Sequence, residues 1–158
     1  MSPEARAFWA ACRAARPGPG DEEPDVFAFG DSPEMAEELG LLVLHGPKRA
    51  TAGLLRDFEA DGTALPRPGG HLVVLGGDGR PLAVIRTVEV RVGPLSSVDE
   101  AFAWDEGEGE RTRDDWLDGH RRFFRRQAER EGFAFSDDIA TVFERFELVW
   151  PAGSVTGA

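Results

Sequence analysis

The chain has little that could cross-link it, hold a thiolate-bound metal or cross a membrane. Its 158 residues include one cysteine, Cys12, which permits no internal disulfide and no thiolate metal cage. No apolar run approaches the roughly 20 residues that span a bilayer. The beginning of the chain, MSPEARAFWAACRAAR, lacks the uninterrupted apolar stretch of a signal peptide. We therefore expect a cytoplasmic protein without a membrane segment, in which Cys12 is a small core residue.

Positive charge is also scarce. The chain has 18 lysine and arginine residues against 29 aspartate and glutamate residues, for a formal net charge of −11. This balance repels phosphate backbones at long range and argues against tight nonspecific binding of nucleic acid, so a nucleic-acid function needs a local basic patch. One basic residue is a lysine, Lys48, and the other 17 are arginines. A single lysine in such a chain indicates a position where a guanidinium would not serve.

What the chain does contain is typical of one globular domain. Its length fits a single core, and 41% of its residues are hydrophobic, with 11 phenylalanines and 4 tryptophans. This composition excludes a wholly disordered, collagen-like or low-complexity chain.

Start signals and periodicity predict helices around a sheet. Ser-Pro-Glu occurs twice, and predicts a helix from Ser2 to about Arg16 and another from Ser32 to about His45, with Gly46 in the left-handed conformation. Pro17 to Gly20 ends the first helix. Further elements follow in order: a strand at 50–55, a loop or helical turn at 56–62, a hairpin of strands 71–75 and 82–92, a helix from Ser97 to about Trp104, a helix from Thr112 to about Glu131, and a strand at 143–150.

The turn after the second helix carries the first candidate site. Gly46-Pro47-Lys48-Arg49-Ala50-Thr51 has the pattern Gly-x-Lys-x-x-Thr. A lysine on such a turn can present a compact cation to a carbonyl, a phosphate or a base edge, and burial can lower its pKa until it acts as a base. A nearby threonine is then a candidate nucleophile. The alternative is a capped helix end with an exposed lysine.

An acidic, glycine-containing segment is the second candidate. Asp105 to Glu110 reads DEGEGE, and most of these carboxylates are expected to be solvated. The glycines would let the loop turn one carboxylate into a pocket. The spacing does not match a calcium or magnesium loop, and the three histidines share no ligand-like spacing, so we expect no metal site.

The predicted long helix carries the third candidate. His120 lies four residues after Trp116 on its apolar stripe, where a packed histidine is the simplest explanation. Four arginines interleaved with two phenylalanines form a basic patch that could meet phosphates. The alternative is an ordinary amphipathic helix whose arginines compensate the negative charge of the acidic segment. The patch comprises Arg121, Arg122, Phe123, Phe124, Arg125 and Arg126.

Taken in order, these segments resemble ASCH domain proteins, which have a β-barrel fold similar to the RNA-binding PUA domain. The resemblance rests on the Gly46 to Thr51 signature after its helix, on Glu106-Gly107-Glu108-Gly109, and on Trp116-x-x-x-His120-x-x-Phe123-Phe124. The last two segments are typical of the longer bacterial branch. The resemblance implies an α+β fold, a PUA-like mixed β-barrel with flanking helices. Residues 1–25 would form an N-terminal helix and linker, 26–150 the ASCH domain and 151–158 a flexible tail.

The resemblance also implies a function connected with RNA. Short members of the family include amidohydrolases that remove the acetyl group of N4-acetylcytidine with a lysine, a threonine and a glutamate, and ribonuclease activity is described in the family. By resemblance the catalytic residues are Lys48, Thr51 and Glu106, with Glu108 free to swing into solvent or, if the loop aligns two residues on, to replace Glu106. No cofactor or metal is implied, and the partner would be a modified nucleoside or RNA. Substrate contacts are expected at Gly46, Arg49, Glu108, Trp116 and His120.

Two catalytic schemes use these residues. In one, a partly neutral Lys48 takes the proton of Thr51, which attacks the amide while Glu106 protonates the leaving amine. In the other, Glu106 activates water and Lys48 stabilises the oxyanion. The competing hypotheses are a noncatalytic RNA-binding module, gripping phosphate through Lys48 and the arginines of 121–126, and a ribonuclease. The sequence gives no indication of the oligomeric state.

Overall fold

The computed structural model describes residues 1–16 and 23–151 of the chain, within which five helices surround one sheet. The helices are α1 (Pro3–Ala15), α2 (Pro33–His45), α3 (Leu55–Asp61), α4 (Glu100–Glu106) and α5 (Arg113–Glu131). The strands are β1 (Asp25–Phe27), β2 (Ala50–Leu54), β3 (His71–Leu75), β4 (Pro81–Pro94) and β5 (Ala140–Trp150). The predicted stop signal at 17–20 and residues 152–158 of the predicted tail lie outside the described residues.

The sheet is mixed and forms a half-barrel. Its strand order is β1-β3-β4-β5-β2, with β1 parallel to β3 and every other pair antiparallel. The predicted hairpin is confirmed as β3 and β4, and β4 continues to Pro94 along nearly the whole of β5. The long β4–β5 ladder brings β2 to one edge, beside the helices that follow β4. The α+β class is confirmed.

Three predicted helix starts are confirmed by their caps. Ser2, Ser32 and Thr112 each accept a hydrogen bond from the backbone N–H three residues on, at 3.1, 3.1 and 3.2 Å. These bonds satisfy donors that have no partner inside the helix. The predicted start at Ser97 is wrong. Asp99 caps α4 instead, accepting from the N–H of Phe102 at 2.8 Å, while Ser97 lies in a 3-10 turn.

Other boundaries depart from the sequence-based predictions. Gly46 is extended, with φ −129° and ψ −162°, rather than left-handed. The segment at 56–62 is the helix α3, and the short strand β1 was not predicted because three residues show no usable periodicity. The last strand starts at Ala140, three residues before its predicted start.

Buried side chains form three clusters on the sheet. One lies between the sheet and helices α4 and α5, a second lies under α2, and the third packs α1 on β3, β4 and the end of β5. Cys12 is fully buried in the third cluster, as expected. The contacts of α1 tie the N-terminal helix to the sheet, while the division of the chain at residue 25 stays a prediction. Within the described ranges, no helix is long and apolar enough to cross a membrane.

Helix α4 ends where the chain touches the Gly46 to Thr51 signature. Gly107 follows it in the left-handed conformation, with φ +70°. A Cβ atom there would lie 2.8 Å from both the N and Cα atoms of Lys48. The Arg49 N–H donates to the Asp105 carbonyl at 2.7 Å, so backbone contacts fix the two segments against each other.

We predict that Gly107→Ala destabilises the protein more than Gly62→Ala. Both glycines follow seven-residue helices at positive φ, but nothing lies within 4 Å of a Cβ at Gly62. Gly62→Ala should cost about 1–2 kcal/mol for the left-handed conformation alone, and Gly107→Ala about 1–3 kcal/mol more for the clash. Urea denaturation measures both, and equal losses would contradict the close approach.

Candidate functional site

A cleft of about 540 Å³ lies between the sheet and helix α5. Its walls come from the segment at 27–30, strand β2, the loop at 106–109 and one face of α5. Six of the eight site residues expected from the sequence line it, namely Lys48, Thr51, Glu106, Glu108, Trp116 and His120.

Lys48 is the centre of the site. Only 1% of its surface is exposed, although it lies in a turn, two residues before strand β2. Its Nζ donates to the carbonyl of Ala50 at 2.8 Å, to Glu106 Oε1 at 2.5 Å and to Glu108 Oε2 at 2.6 Å. An ammonium has three hydrogens, and these three short contacts match them, while the backbone carbonyl of Glu106 lies further away at 3.5 Å.

The contacts of Lys48 keep it positively charged. Burial by itself would lower the pKa of the ammonium, but Glu106 and Glu108 more than offset this and raise the pKa above its ordinary value. The expectation of a partly neutral lysine is therefore contradicted. No bond joins Lys48 to the Thr51 hydroxyl in the described part of the chain, so the scheme in which Lys48 deprotonates Thr51 is not supported.

Glu106 is the buried carboxylate of the pair. It ends α4 with a side-chain exposure of 2%, and its Oε2 accepts from Trp116 Nε1 at 2.9 Å. His120 Nε2 lies 3.5 Å from the same oxygen. Burial would raise the pKa of this carboxyl, but the Lys48 ammonium and the contact with His120 hold the pKa well below its usual range. Glu106 is therefore a fixed anion.

Trp116 and His120 form a stacked pair on α5 that faces Glu106. Their ring centroids are 3.7 Å apart and the planes are inclined by 15°. His120 Nδ1 lies 2.9 Å from the Trp116 carbonyl, one turn back along the helix, and this contact orients the ring. Trp116 is almost fully buried, whereas the His120 side chain is 21% exposed in the cleft. His120 can therefore meet a ligand, and Trp116 chiefly positions Glu106.

Glu108 is not turned into solvent, which was one of the two alternatives that the sequence left open, and it lines the cleft. Its carboxylate contacts Lys48, and its side chain remains 33% exposed at the cleft. Burial raises the pKa of this carboxyl, Lys48 lowers it, and neighbouring Glu106 raises it again, with a net increase. The two glutamates thus differ, because one is a buried anion and the other a more readily protonated group at the opening.

Thr51 places a hydroxyl in the same cleft. It is half-buried on β2, and this hydroxyl bonds to no other residue that the structure describes. A serine or threonine hydroxyl both donates and accepts, so it is available to a ligand.

Gly46 and Arg49 do not line the cleft. The Arg49 guanidinium donates to the Val43 carbonyl at the end of α2, at 3.0 Å, and to the Lys48 carbonyl in the turn that follows, at 2.6 Å. Gly46 packs against Leu42 of the same helix. Their expected substrate contacts are therefore corrected to structural roles at the turn that presents Lys48.

The sequence did not indicate that Phe29 belongs to the site. Its ring lies in the cleft wall with Lys48 Nζ 5.2 Å from the centroid. Phe29 follows a three-residue strand and belongs to no motif, so only the pairing of β1 with β3 reveals its position. Among the residues that the structure describes, no group of three or more histidine, cysteine, aspartate or glutamate side chains could hold a metal ion.

A mixed half-barrel sheet with flanking helices is the architecture of an α+β, PUA-like domain. The family model described as ASCH domain matches residues 25–150, and the chain belongs to the ASCH domain family. The family resemblance and the PUA-like fold predicted from the sequence are thereby confirmed.

Solved structures agree with this assignment. The ASCH domain from Lactobacillus crispatus JV V101 is 28% identical, with a TM-score of 0.83 over 94% of this chain and 96% of that one. Protein EF3133 from Enterococcus faecalis V583 is 36% identical, with a TM-score of 0.83 over 94% of this chain and 90% of that one. No curated protein matches the chain.

We predict opposite pH trends for the stability of two variants. Folding lowers the pKa of Glu106. Its contribution to the free energy of unfolding is therefore fully present above the ordinary pKa of 4.5 and is lost as the pH falls through the pKa of the folded protein. Glu106→Gln should be destabilising by about 3 kcal/mol near neutral pH and less so below pH 4.5. Because the pKa of Glu108 is raised, its contribution is full below 4.5 and is lost as the pH rises.

The free energy of unfolding of Glu108→Gln should therefore decrease relative to that of the wild type as the pH drops from neutral towards 4.5. Urea denaturation across this range measures both variants. Glu110→Gln, exposed in the same loop, is the control and should stay within about 0.5 kcal/mol of wild type throughout. Parallel pH curves for the two site variants would contradict the assignment of buried and opening carboxylates.

Proposed function

We propose that the cleft binds a modified nucleoside, or a single base of an RNA chain, and hydrolyses an N-acyl amide on that base. The observation that carries this proposal is the cluster in which a charged Lys48, two unequal glutamates and a free Thr51 hydroxyl converge on one cavity. Similarity to bacterial ASCH domains supports a substrate connected with RNA. In this proposal the protein meets that substrate in the cytoplasm.

The cleft suits a flat, polar ring. Its volume of about 540 Å³ lies within the range of small-molecule sites. His120 and Phe123 supply aromatic surface for stacking, and the charged cluster supplies groups that read a base edge. A single base placed there avoids the long-range repulsion of a net charge of −11 for extended RNA.

Lys48 acts as an electrophilic stabiliser in this proposal. Its three hydrogens are occupied in the free protein, so the substrate carbonyl must take the place of one acceptor. Glu108 is the one that moves, because it is partly exposed and lies between Gly107 and Gly109, both at positive φ. The substrate's acyl oxygen then accepts from Lys48 and from the Thr51 hydroxyl, where negative charge develops during attack.

Released from Lys48, Glu108 is the general base. Its raised pKa places it closer to neutrality than Glu106, and pairs of carboxyl groups with separated pKa values commonly divide such roles. Glu106, held by Lys48 and Trp116, keeps the ammonium charged and in place. This division replaces the scheme in which Glu106 itself is the base.

The reaction balances with water as the only co-reactant. Glu108 takes a proton from water as the oxygen attacks the carbonyl carbon, which forms a tetrahedral oxyanion beside Lys48 and Thr51. The oxyanion collapses, the carbon–nitrogen bond breaks, and Glu108 gives its proton to the exocyclic nitrogen. The products are the free base amine and a carboxylate, with one proton released.

The test is turnover of N4-acetylcytidine, followed by release of cytidine. Glu108→Gln should lower kcat by about a hundredfold or more, the loss expected for a general base. Thr51→Val should cost about tenfold to a hundredfold through loss of an oxyanion donor. Lys48→Arg should abolish turnover, because a guanidinium does not fit a three-acceptor site for a compact ammonium.

Glu110→Gln is the matched control and should retain wild-type turnover, since this glutamate is exposed in the same loop and does not line the cleft. Circular dichroism on each preparation checks folding. If Glu108→Gln kept full activity and Glu106→Gln lost most of it, Glu106 would be the general base instead of Glu108. Cytidine binding without turnover would favour a noncatalytic recognition module, and no binding would overturn the proposal.

We also predict weak binding of long, unmodified RNA at physiological salt, fading further as salt rises. The basic residues of α5 act against a formal charge of −11, and contacts to phosphate are screened. Fluorescence anisotropy over a salt series measures this. Nanomolar binding that hardly changes with salt would instead support the noncatalytic RNA-binding module.

A further inference from the structure

We propose that the mouth of the cleft is a phosphate subsite formed by Arg122 and Arg126, so that the ligand carries a phosphate beside its base. That phosphate belongs either to a free nucleotide or to an RNA chain. This inference rests on the proposed function, because it places the phosphate next to a base bound at Lys48.

The two arginines are neighbours on one side of helix α5. They are four residues apart, so their side chains lie one above the other across a single turn. Both are exposed and both line the cleft that contains Lys48. From His120 at the inner end to Arg126 the helix rises about 9 Å, a span that a nucleoside monophosphate can cover.

These guanidiniums keep donors free in a chain with excess acid. Arg122 forms no ion pair, hydrogen bond or ring contact with any other residue of the described chain. Arg126 meets Asp31 at the long distance of 3.9 Å and lies over the Phe123 ring, 5.5 Å from its centroid, a contact that leaves its N–H donors free. By contrast, Arg121 makes two bonds to Asp137, at 3.0 and 2.8 Å, and Arg125 does not line the cleft. The basic patch expected from the sequence thus reduces to two residues with unused donors at the cleft.

Carboxylates near the mouth are engaged elsewhere. Asp57 accepts two bonds from Gln127 and pairs with Arg56, and Asp115 accepts from the Glu110 N–H. Asp31 remains, and a phosphate on Arg126 would compete with its long contact. A phosphate offers more acceptor oxygens and more charge than Asp31, and matches the planar donors of arginine.

The opposite wall favours an anion too. Asp31 directly precedes Ser32, the N-cap of α2, and Gly30 and Met35 of this turn line the cleft. The contact of Arg126 with Asp31 therefore places the arginine against the N-terminal end of a 13-residue helix. That end carries the positive pole of the helix dipole, which adds to the field of the two arginines.

Isothermal titration with cytidine, cytidine 5′-monophosphate and a cytidine trinucleotide tests the subsite. The monophosphate should bind the wild type about tenfold to a hundredfold more tightly than cytidine, as expected for charge-assisted bonds. In the double variant Arg122→Gln, Arg126→Gln this advantage should fall below about twofold while cytidine binding is unchanged. Arg130→Gln, exposed one turn further on and outside the cleft, is the control and should leave both affinities unchanged.

The outcomes separate the two proposals. Equal binding of cytidine and its monophosphate, or an advantage that survives the double variant, overturns the phosphate subsite and leaves the base site standing. If neither ligand binds the folded protein, the proposed function fails and the subsite fails with it. Where the subsite holds, the trinucleotide distinguishes the phosphate source, since tight binding indicates an RNA chain and exclusion indicates a free nucleotide.

Discussion

The site depends on one buried ammonium ion and its three acceptors. Lys48 is 1% exposed, and a charge in that position is tolerated only because a backbone carbonyl and two carboxylates face it. Glu106 would be equally costly without Lys48, Trp116 and His120 around it. The cation and its carboxylates therefore stabilise one another, and the removal of Lys48 leaves two neighbouring carboxylates without their shared counter-charge.

The surrounding fold serves to bring these partners together. Fifty-eight residues separate Lys48 from Glu106, and the contact forms because β2 joins the sheet beside β5 while α4 returns over it. Gly107 allows the two backbones to touch, and the Arg49 N–H bonds to the Asp105 carbonyl. Arg49 and Gly46 thus support the site through the backbone. Precision of this kind is what a preorganised charge cluster requires.

Charge is distributed unevenly around the cleft. The whole chain carries −11, yet the inner end presents a lysine and the mouth presents two arginines with unused donors. An acidic protein with a few cationic side chains along one cleft repels long polyanions at a distance and still favours a single phosphate or a polarised carbonyl in contact with those side chains. The same arrangement fits the proposal that the cleft binds a single base rather than an extended RNA chain.

The sequence determined the local elements, the family and the candidate residues. Ser2, Ser32 and Thr112 mark helix starts through caps that depend on neighbouring residues alone. Because Lys48 is the single lysine of the sequence, it marked the turn at 46–51 as a candidate site. Tertiary structure decided the electrostatics. Contacts between distant segments keep Lys48 charged, hold Glu108 against it and place Phe29 in the cleft wall. Such contacts alter burial and charge, which no spacing along the chain encodes.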